Sequence, residues 1–399
     1  MADGPENGMW PSPFNQQPAA VIEPGRRIFV ADCTLRDGEQ QAGIVLDRAA
    51  KVAIARALDD LGVHEIEAGT VASSEEDRSA MAEMCRLGLK AKISTLCRGI
   101  NADIDQAVGL GIWGVRLSFP ISRIERRHKL KGIGDDDYLR RALELCEYSR
   151  RKGLYVIFSP YDTTRAEIPF LRRLVNELAR AGTVDRLRIV DTTGCASPQA
   201  ITYIVGEVRS AAPDLALEIH CHDDFGLACA NTLAGVAAGA DYVSTTINGI
   251  GERCGNAATE EVAMALEVLY GAESGLDLTK LTRVSRLVSE LSGVSPQLNK
   301  AVVGEGAFRH ESGMAVAGLL QDPFTAEPYR PELVGQTRQI LLGKKSGLAS
   351  ISYKIKEMGL AVPEGRLPAL LDRVKAVAVS KRRSVTDEEF KQIADAMLQ

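Results

Sequence analysis

The chain has 399 residues, 45% hydrophobic and 25% charged, with 48 lysines and arginines against 53 aspartates and glutamates and a formal net charge of −5. That near balance excludes a polycation built for nucleic acid, and no apolar run approaches the ~20 residues needed to span a bilayer. The length exceeds what one hydrophobic core usually fills, so a large domain with a smaller appendage is expected.

Residues 1–25 are rich in Pro, Asn, Gln and Gly and show no apolar period, which predicts a disordered N-terminal arm. The opening MADGPENGMW lacks the basic start and apolar middle of a signal peptide, so a cytoplasmic location is expected. From Arg27 onward, short β-type runs alternate with longer amphipathic ones. The strand candidates are RIFVADC, HEIEAG, AKISTLC, WGVRLSF, LYVIFSP, RLRIVDT, LALEIHC and DYVSTTI. Between them lie helical stretches such as DRAAKVAIARALDDLG, DYLRRALELCEYSRRKG, EIPFLRRLVNELARAG and SPQAITYIVGEVRSAA. Such alternation implies right-handed βαβ units, and eight repeats point to an α/β fold of the closed (β/α)8, or TIM, barrel type over residues 26–274. A doubly wound sheet would place a glycine-rich phosphate turn after its first strand, where this chain has TLRDGEQ.

After TEEVAMALEVLYGA the alternation stops. Residues 275–399 are expected to be a mainly helical accessory region serving as lid and dimer contact, with loops and short helices over 303–347. The 8 cysteines form no CxxC pair and read as buried small hydrophobes.

Active sites of (β/α)8 barrels lie at the C-terminal ends of the strands. The seventh strand ends IHCHDD, and because side chains alternate along a strand, His220 and His222 share one side. With 5 histidines in the whole chain, that pair reads as metal-ligating, against the alternative of two hydrogen-bonded core histidines. The first strand ends DCTLRDGEQ, giving Asp37 as an anionic ligand and Arg36 beside it, against the alternative of a simple rim salt bridge. Two imidazoles and a carboxylate suit Mg2+, Mn2+ or Zn2+. A 2-oxo acid chelated there would have its carbonyl polarised, with Arg36 stabilising the developing alkoxide. In NGIGERCGN after the eighth strand, Asn256 is a further oxygen ligand or part of a turn. Supporting groups at other strand ends are Glu39, Gln40, Glu67, Arg98, Arg116, Ser159, Asp162, Arg165, Asp191, Thr192 and Thr193, each alone as readily structural as functional.

At DCTLRDGEQ, HCHDDFGLACAN, NGIGERCGNAATEEV and HESG the sequence resembles the isopropylmalate synthase and homocitrate synthase family, whose barrel is shared with hydroxymethylglutaryl-CoA lyase. The resemblance runs from about Arg27 to near the end. The segments LLQDPFTAEPYRPELVG and LGKKSG are similar to those of the condensing synthases, above all the homocitrate synthase of nitrogen-fixing bacteria. It implies condensation of acetyl-CoA, or another acyl-CoA, with a 2-oxo acid, in a homodimer whose tails reach over the partner barrels. By position it implies Arg36 as the carbonyl-polarising arginine and Asp37, His220 and His222 as metal ligands. Asn256 matches a fourth ligand of the lyase branch, and Thr192 the donor to the substrate carboxylate.

Four positions depart from that pattern. The tail reads HESGMAVAG where synthases carry HESGIHVDG, so Ala315 replaces the histidine credited with acid/base work and Ala317 an aspartate. Lys345 replaces the histidine of GKHSG, and FSPYD places Tyr161 where an acid is usual. An alanine moves no proton, so His310 or Lys345 is expected to act as the base. The expected oxo acid is small and dianionic (2-oxoglutarate, oxaloacetate or a phosphonopyruvate-like acid), on the strength of Arg98, Arg116 and the arginines of the SRIERRHK loop. A carbon–carbon lyase and a non-catalytic relative are the alternatives.

Overall fold

The structure is a computed structural model that describes residues 8–16 and 22–398. Two compact units emerge, one spanning residues 13–296 and the other combining residues up to Ser12 with 297 onward.

The first unit is a closed parallel barrel of eight strands in sequence order. These are β1 (Phe29–Asp32), β2 (Glu65–Thr70), β3 (Lys92–Arg98), β4 (Gly114–Ser118), β5 (Tyr155–Ser159), β6 (Arg186–Asp191), β7 (Ala216–Cys221) and β8 (Tyr242–Thr245). All eight strand candidates are therefore strands. β1 closes the ring on β8 with Phe29 beside Tyr242 and Asp32 beside Thr245. The helices start and stop where local chemistry dictates. Asp47 accepts a hydrogen bond from the Ala50 amide (2.7 Å) at the head of Arg48–Leu61, and Gly62 ends that helix with φ near 100°. Ser197 caps Pro198–Ala211 with proline in its first turn. The SRIERRHK segment is a short helix, Arg123–Lys129, rather than a loop, because the Ser122 hydroxyl caps it at the Glu125 amide. The helix Leu281–Ser292 packs along Arg48–Leu61, which carries the barrel unit past residue 274 to residue 296.

The barrel interior is charged. Glu65 and Glu67 on β2, Arg116 on β4, Arg186 and Arg188 on β6 and Glu218 on β7 are all buried. Arg116 pairs with Glu65 (2.7 Å) and Glu218, Arg186 with Glu218 (2.8 Å) and Glu65, and Arg188 with Glu67 (3.3 Å) and Glu218 (3.2 Å). Each carboxylate thus faces two arginines or more, the condition under which buried charge is tolerated. Below this layer Arg186 lies 3.8 Å from the Tyr242 ring centroid, and Phe29 stacks on Tyr242 at 4.9 Å.

In the second unit an apolar core of Leu342, Ile351, Leu370, Val374, Val385 and Phe390 holds the helices Leu348–Glu357, Leu367–Lys381 and Asp387–Leu398. Residues 303–347 carry short elements, among them two-residue strands at Arg309–His310 and Gln339–Ile340 and the helix Gly313–Leu319. Of the arm expected to be disordered, residues 1–7 and 17–21 lie outside the described residues. Met9 forms a bridge with Tyr329, and Trp10 sits 5.5 Å from the Phe324 ring. Cys33, Cys97, Cys146 and Cys221 are buried as expected, whereas Cys195 and Cys254, on loops after β6 and β8, are exposed. No helix among the described residues is long and apolar enough to cross a membrane.

Burial disfavours charge on Glu65, but Arg116 and Arg186 outweigh it and hold the carboxyl near pKa 2. A depressed carboxylate pKa contributes stability above the unfolded value near 4.5 that is lost as the pH falls toward 2. Arg186→Met removes one of the compensating cations and is expected to cost ~3–5 kcal/mol at pH 7. Protonation then relieves the stranded carboxylate, so the gap to wild type should narrow at pH 5. Urea unfolding at both pH values measures it, and an equal or wider gap at pH 5 would contradict the ion-pair account.

Candidate metal centre and substrate cleft

Asp37 lies in the turn after β1, His220 near the end of β7 and His222 just beyond it. Their ligand atoms lie within 4.8 Å of one another, and all three residues are buried. His220 Nε2 is 3.3 Å from His222 Nε2, and Asp37 Oδ2 is 3.5 Å from the first and 3.7 Å from the second. Burial, and then the nearby Arg188 guanidinium, push His220 well below the usual histidine range; burial also lowers His222. Both imidazoles are held neutral, the form that ligates a cation. On the far side of His220, Nδ1 is 3.0 Å from Ser244 Oγ and 2.7 Å from Arg188 Nη2. Because a guanidinium only donates, Nδ1 accepts from Arg188 in this arrangement and the Nε2 proton faces Asp37; ligation through Nε2 calls for the other tautomer, with the Nδ1 proton on Ser244 Oγ.

Asp37 is fixed from two directions. Burial opposes its charge, but the Arg36 guanidinium beside it is the largest opposing influence, and the carboxyl stays well below the carboxylate range. Arg36 donates from Nη1 to Asp37 Oδ2 (2.6 Å) and Gln40 Oε1 (3.0 Å), and from Nε and Nη2 to the two oxygens of Glu67 (2.6 and 3.1 Å). Four of its five N–H donors are thereby engaged, which leaves one on Nη2. On the other side Asp37 Oδ1 accepts from the Glu252 amide (3.1 Å) and Asn256 Nδ2 (2.9 Å). The glycines of NGIGERCGN make this wrap feasible. A Cβ on Gly251 would lie 2.0 Å from Asn256 Nδ2, and one on Gly255 1.9 Å from the Gly249 carbonyl oxygen.

The donor set fits a divalent cation. Asn256 Oδ1 is buried with no hydrogen-bond partner among the described residues, and an unsatisfied buried acceptor costs ~1–3 kcal/mol unless something electropositive meets it. That oxygen is open to a cation, and the amide nitrogen of the same side chain sits 2.9 Å from Asp37 Oδ1. The set does not choose among Mg2+, Mn2+ and Zn2+.

The triad forms one wall of a cleft of about 660 Å3 at the C-terminal ends of the strands. Arg36, Gln40, Arg98, Ser159 and Thr192 line it as expected. Thr192 Oγ1 accepts from the Asp162 amide (2.7 Å), which leaves its hydroxyl proton to donate inward. Arg98 is tied bidentately to Asp103 at 3.0 Å. Three expected binding residues do not line the cleft. Glu39 is drawn away by Lys51 (2.5 Å) and the Leu46 amide, and Arg165 by Asp162 (2.7 Å). Arg116 is consumed by the interior glutamates, because its strand position points into the barrel below the mouth. His310 and Lys345 belong to the second unit. There His310 Nε2 is 3.0 Å from Glu327 Oε1, Arg338 clamps that glutamate at 2.8 and 2.5 Å, and Lys345 is exposed. Sequence reasoning missed Arg188 and Ser244, which brace His220; the period of two in Arg186 and Arg188, matching Glu218 and His220, was the available signal.

Fold and site together define a (β/α)8-barrel enzyme with a two-histidine, one-carboxylate centre. The HMGL-like family model matches residues 27–288, and a homocitrate synthase post-HMGL domain-like model matches 302–382. Homocitrate synthase AksA of Methanopyrus kandleri is 42% identical over 388 residues, 97% of either chain. A 2-isopropylmalate synthase of Methanocaldococcus jannaschii is 41% identical over 92% of this chain and 71% of its own. The chain belongs to this HMGL-like family, on its branch of homocitrate and isopropylmalate synthases, acyltransferases that join an acyl-CoA to a 2-oxo acid. A hydroxymethylglutaryl-CoA lyase from Pseudomonas aeruginosa superposes with a TM-score of 0.62 over 71% of this chain and 97% of its own at 20% identity, which bears on the fold alone.

Titration of chelator-treated protein with Mn2+ should show saturable binding, and His222→Ala should weaken it at least ~100-fold. Calorimetry reads both; wild-type protein that takes up no cation would remove the metal centre.

Proposed function

We propose that the chain condenses acetyl-CoA with a small dianionic 2-oxo acid, such as 2-oxoglutarate or oxaloacetate, to a tertiary hydroxy acid with release of CoA. The observation that carries this reading is the cleft itself: six lysine and arginine side chains line it, and one of them, Arg141, has no carboxylate partner among the described residues. Such a lining concentrates an anion carrying more than one charge. The Thr192 hydroxyl donates to the oxo-acid carboxylate, and the uncommitted Nη2 proton of Arg36 meets the oxygen on which negative charge develops. A divalent cation held by Asp37, His220 and His222 supplies Lewis-acid polarisation of a carbonyl beside it.

The acyl-CoA methyl proton needs a base, since general base catalysis contributes ~10^2 to 10^4-fold. We assign it to His310. Its imidazole is oriented by Glu327, whereas Lys345 is exposed and a lysine works as a base from a desolvated site. The carbon that loses the proton bonds to the oxo-acid carbonyl carbon, the carbonyl electron pair moves to oxygen, and water then cleaves the thioester. We take the working unit to be a homodimer, with the region from 297 onward as lid and dimer contact.

Release of free CoA thiol from acetyl-CoA, with Mg2+, Mn2+ or Zn2+ and each of oxaloacetate, 2-oxoglutarate, 2-oxoisovalerate and phosphonopyruvate, tests the reading. Dianionic acids should give the highest kcat/KM, and His310→Gln should lower kcat by ~10^2 or more. No release with any acid sinks the condensation. A gain from Ala315→His with no loss from His310→Gln would move the base elsewhere.

A further inference from the structure

The six cations on the cleft wall are not equivalent. Arg36 is held by Asp37 and Glu67, Arg188 by Glu67 and Glu218, Arg98 by Asp103, Lys129 by Glu125 (2.6 Å) and Arg253 by Asp224 (2.8 Å). Arg141 has no carboxylate or hydrogen-bond partner among the described residues. It comes from the helix Asp135–Arg151, and its guanidinium lies 5.2 Å from the centroid of the buried Phe119 ring just past the end of β4. Tyr138 stacks on the same ring at 4.5 Å, and both rings are buried. A guanidinium held over a ring without an acid partner keeps its N–H donors free, the condition for bidentate capture of a carboxylate.

Position adds a second argument. In a closed barrel with strands in sequence order, the ends of β3 and β4 stand across the mouth from those of β7 and β8. Arg141 therefore borders the same cleft as the triad, from its opposite side. A molecule whose oxo-acid end sits at His220 and His222 points its other end toward β4.

We propose that Arg141 is a specificity-determining residue that binds the terminal carboxylate of the oxo acid, selecting 2-oxo dicarboxylates over 2-oxo monocarboxylates. The inference rests on the condensation reading for its substrate class. Its chemistry is that of a carboxylate remote from the reacting carbonyl. An acyl-CoA phosphate is the other anion that could reach an unpaired cleft arginine, and the experiment separates the two.

The test is the ratio of kcat/KM for 2-oxoglutarate and for oxaloacetate to that for 2-oxoisovalerate, in wild type, Arg141→Gln and Arg141→Lys, with the KM for acetyl-CoA read in parallel. Wild type should prefer at least one dicarboxylate. Arg141→Gln should collapse that preference by about 10-fold or more through the oxo-acid KM, and Arg141→Lys should restore part of it. An unchanged ratio, equal losses on all acids, or a rise confined to the acetyl-CoA KM overturns the assignment. If wild type turns over no acid, the condensation reading has failed on its own. Equilibrium binding of 2-oxoglutarate and 2-oxoisovalerate to the metal-loaded protein then decides for Arg141: tighter binding of the dicarboxylate must be lost in Arg141→Gln, and a preference that survives the substitution refutes the proposal.

Discussion

The grip of Glu67 on Arg36 is the contact on which the barrel mouth depends. Both carboxylate oxygens of Glu67 accept from Arg36, and Arg36 in turn holds Asp37 at 2.6 Å. The ligand carboxylate is thus fixed from inside the barrel rather than by its own turn. Burial works against charge on Glu67, yet Arg36, Arg188 and Arg116 hold its pKa near 2, so this anchor stays ionised wherever the fold survives. Three glutamates and three arginines share the interior, and Arg36 with Asp37 adds one of each sign. With the two histidines neutral, these groups pair off. A divalent cation entering the triad would bring charge the interior does not offset, which favours an anionic ligand at the same place.

That interior explains which parts of the site were legible in the sequence. The eight strands could be read because each short apolar run is bounded by a helix cap or a turn residue, and local patterning survives folding. His220 and His222 could be read because their spacing forces a shared side at a strand end. Arg116 could not. A lone arginine at a strand end looks the same whether it faces a substrate or a buried glutamate. The deciding partners, Glu65 and Glu218, lie 51 and 102 residues away. Arg141 was invisible for the converse reason. It sits on a helix, and its meaning comes from a partner it lacks, which no pattern along the chain can display.

The second unit shows a different limit. The family pattern marks Ala315 and Lys345 as the places where histidines are missing, and His310 as one that remains. It says nothing of Glu327 and Arg338, which organise His310 in space. A carboxylate at Nε2 fixes the ring and leaves the other nitrogen to exchange a proton. Arg338 clamps the same carboxylate through both its oxygens, which fixes the acceptor that orients the ring. Losing one histidine at Ala315 therefore does not strip the unit of a positioned imidazole.

The loop after β8 joins these themes. Its sequence NGIGERCGN reads as an ordinary glycine-rich turn, yet the space Gly251 leaves is filled by the Asn256 amide and the Gly255 position abuts the Gly249 carbonyl. The turn is shaped around Asn256, and Asn256 is left with a buried acceptor that no protein donor meets. A fold that merely needed a turn would put that oxygen in solvent. Its amide nitrogen donates to Asp37 Oδ1 at 2.9 Å, so the loop ties a buried, unpartnered oxygen to the same turn in which Arg36, braced by Glu67, keeps one N–H uncommitted.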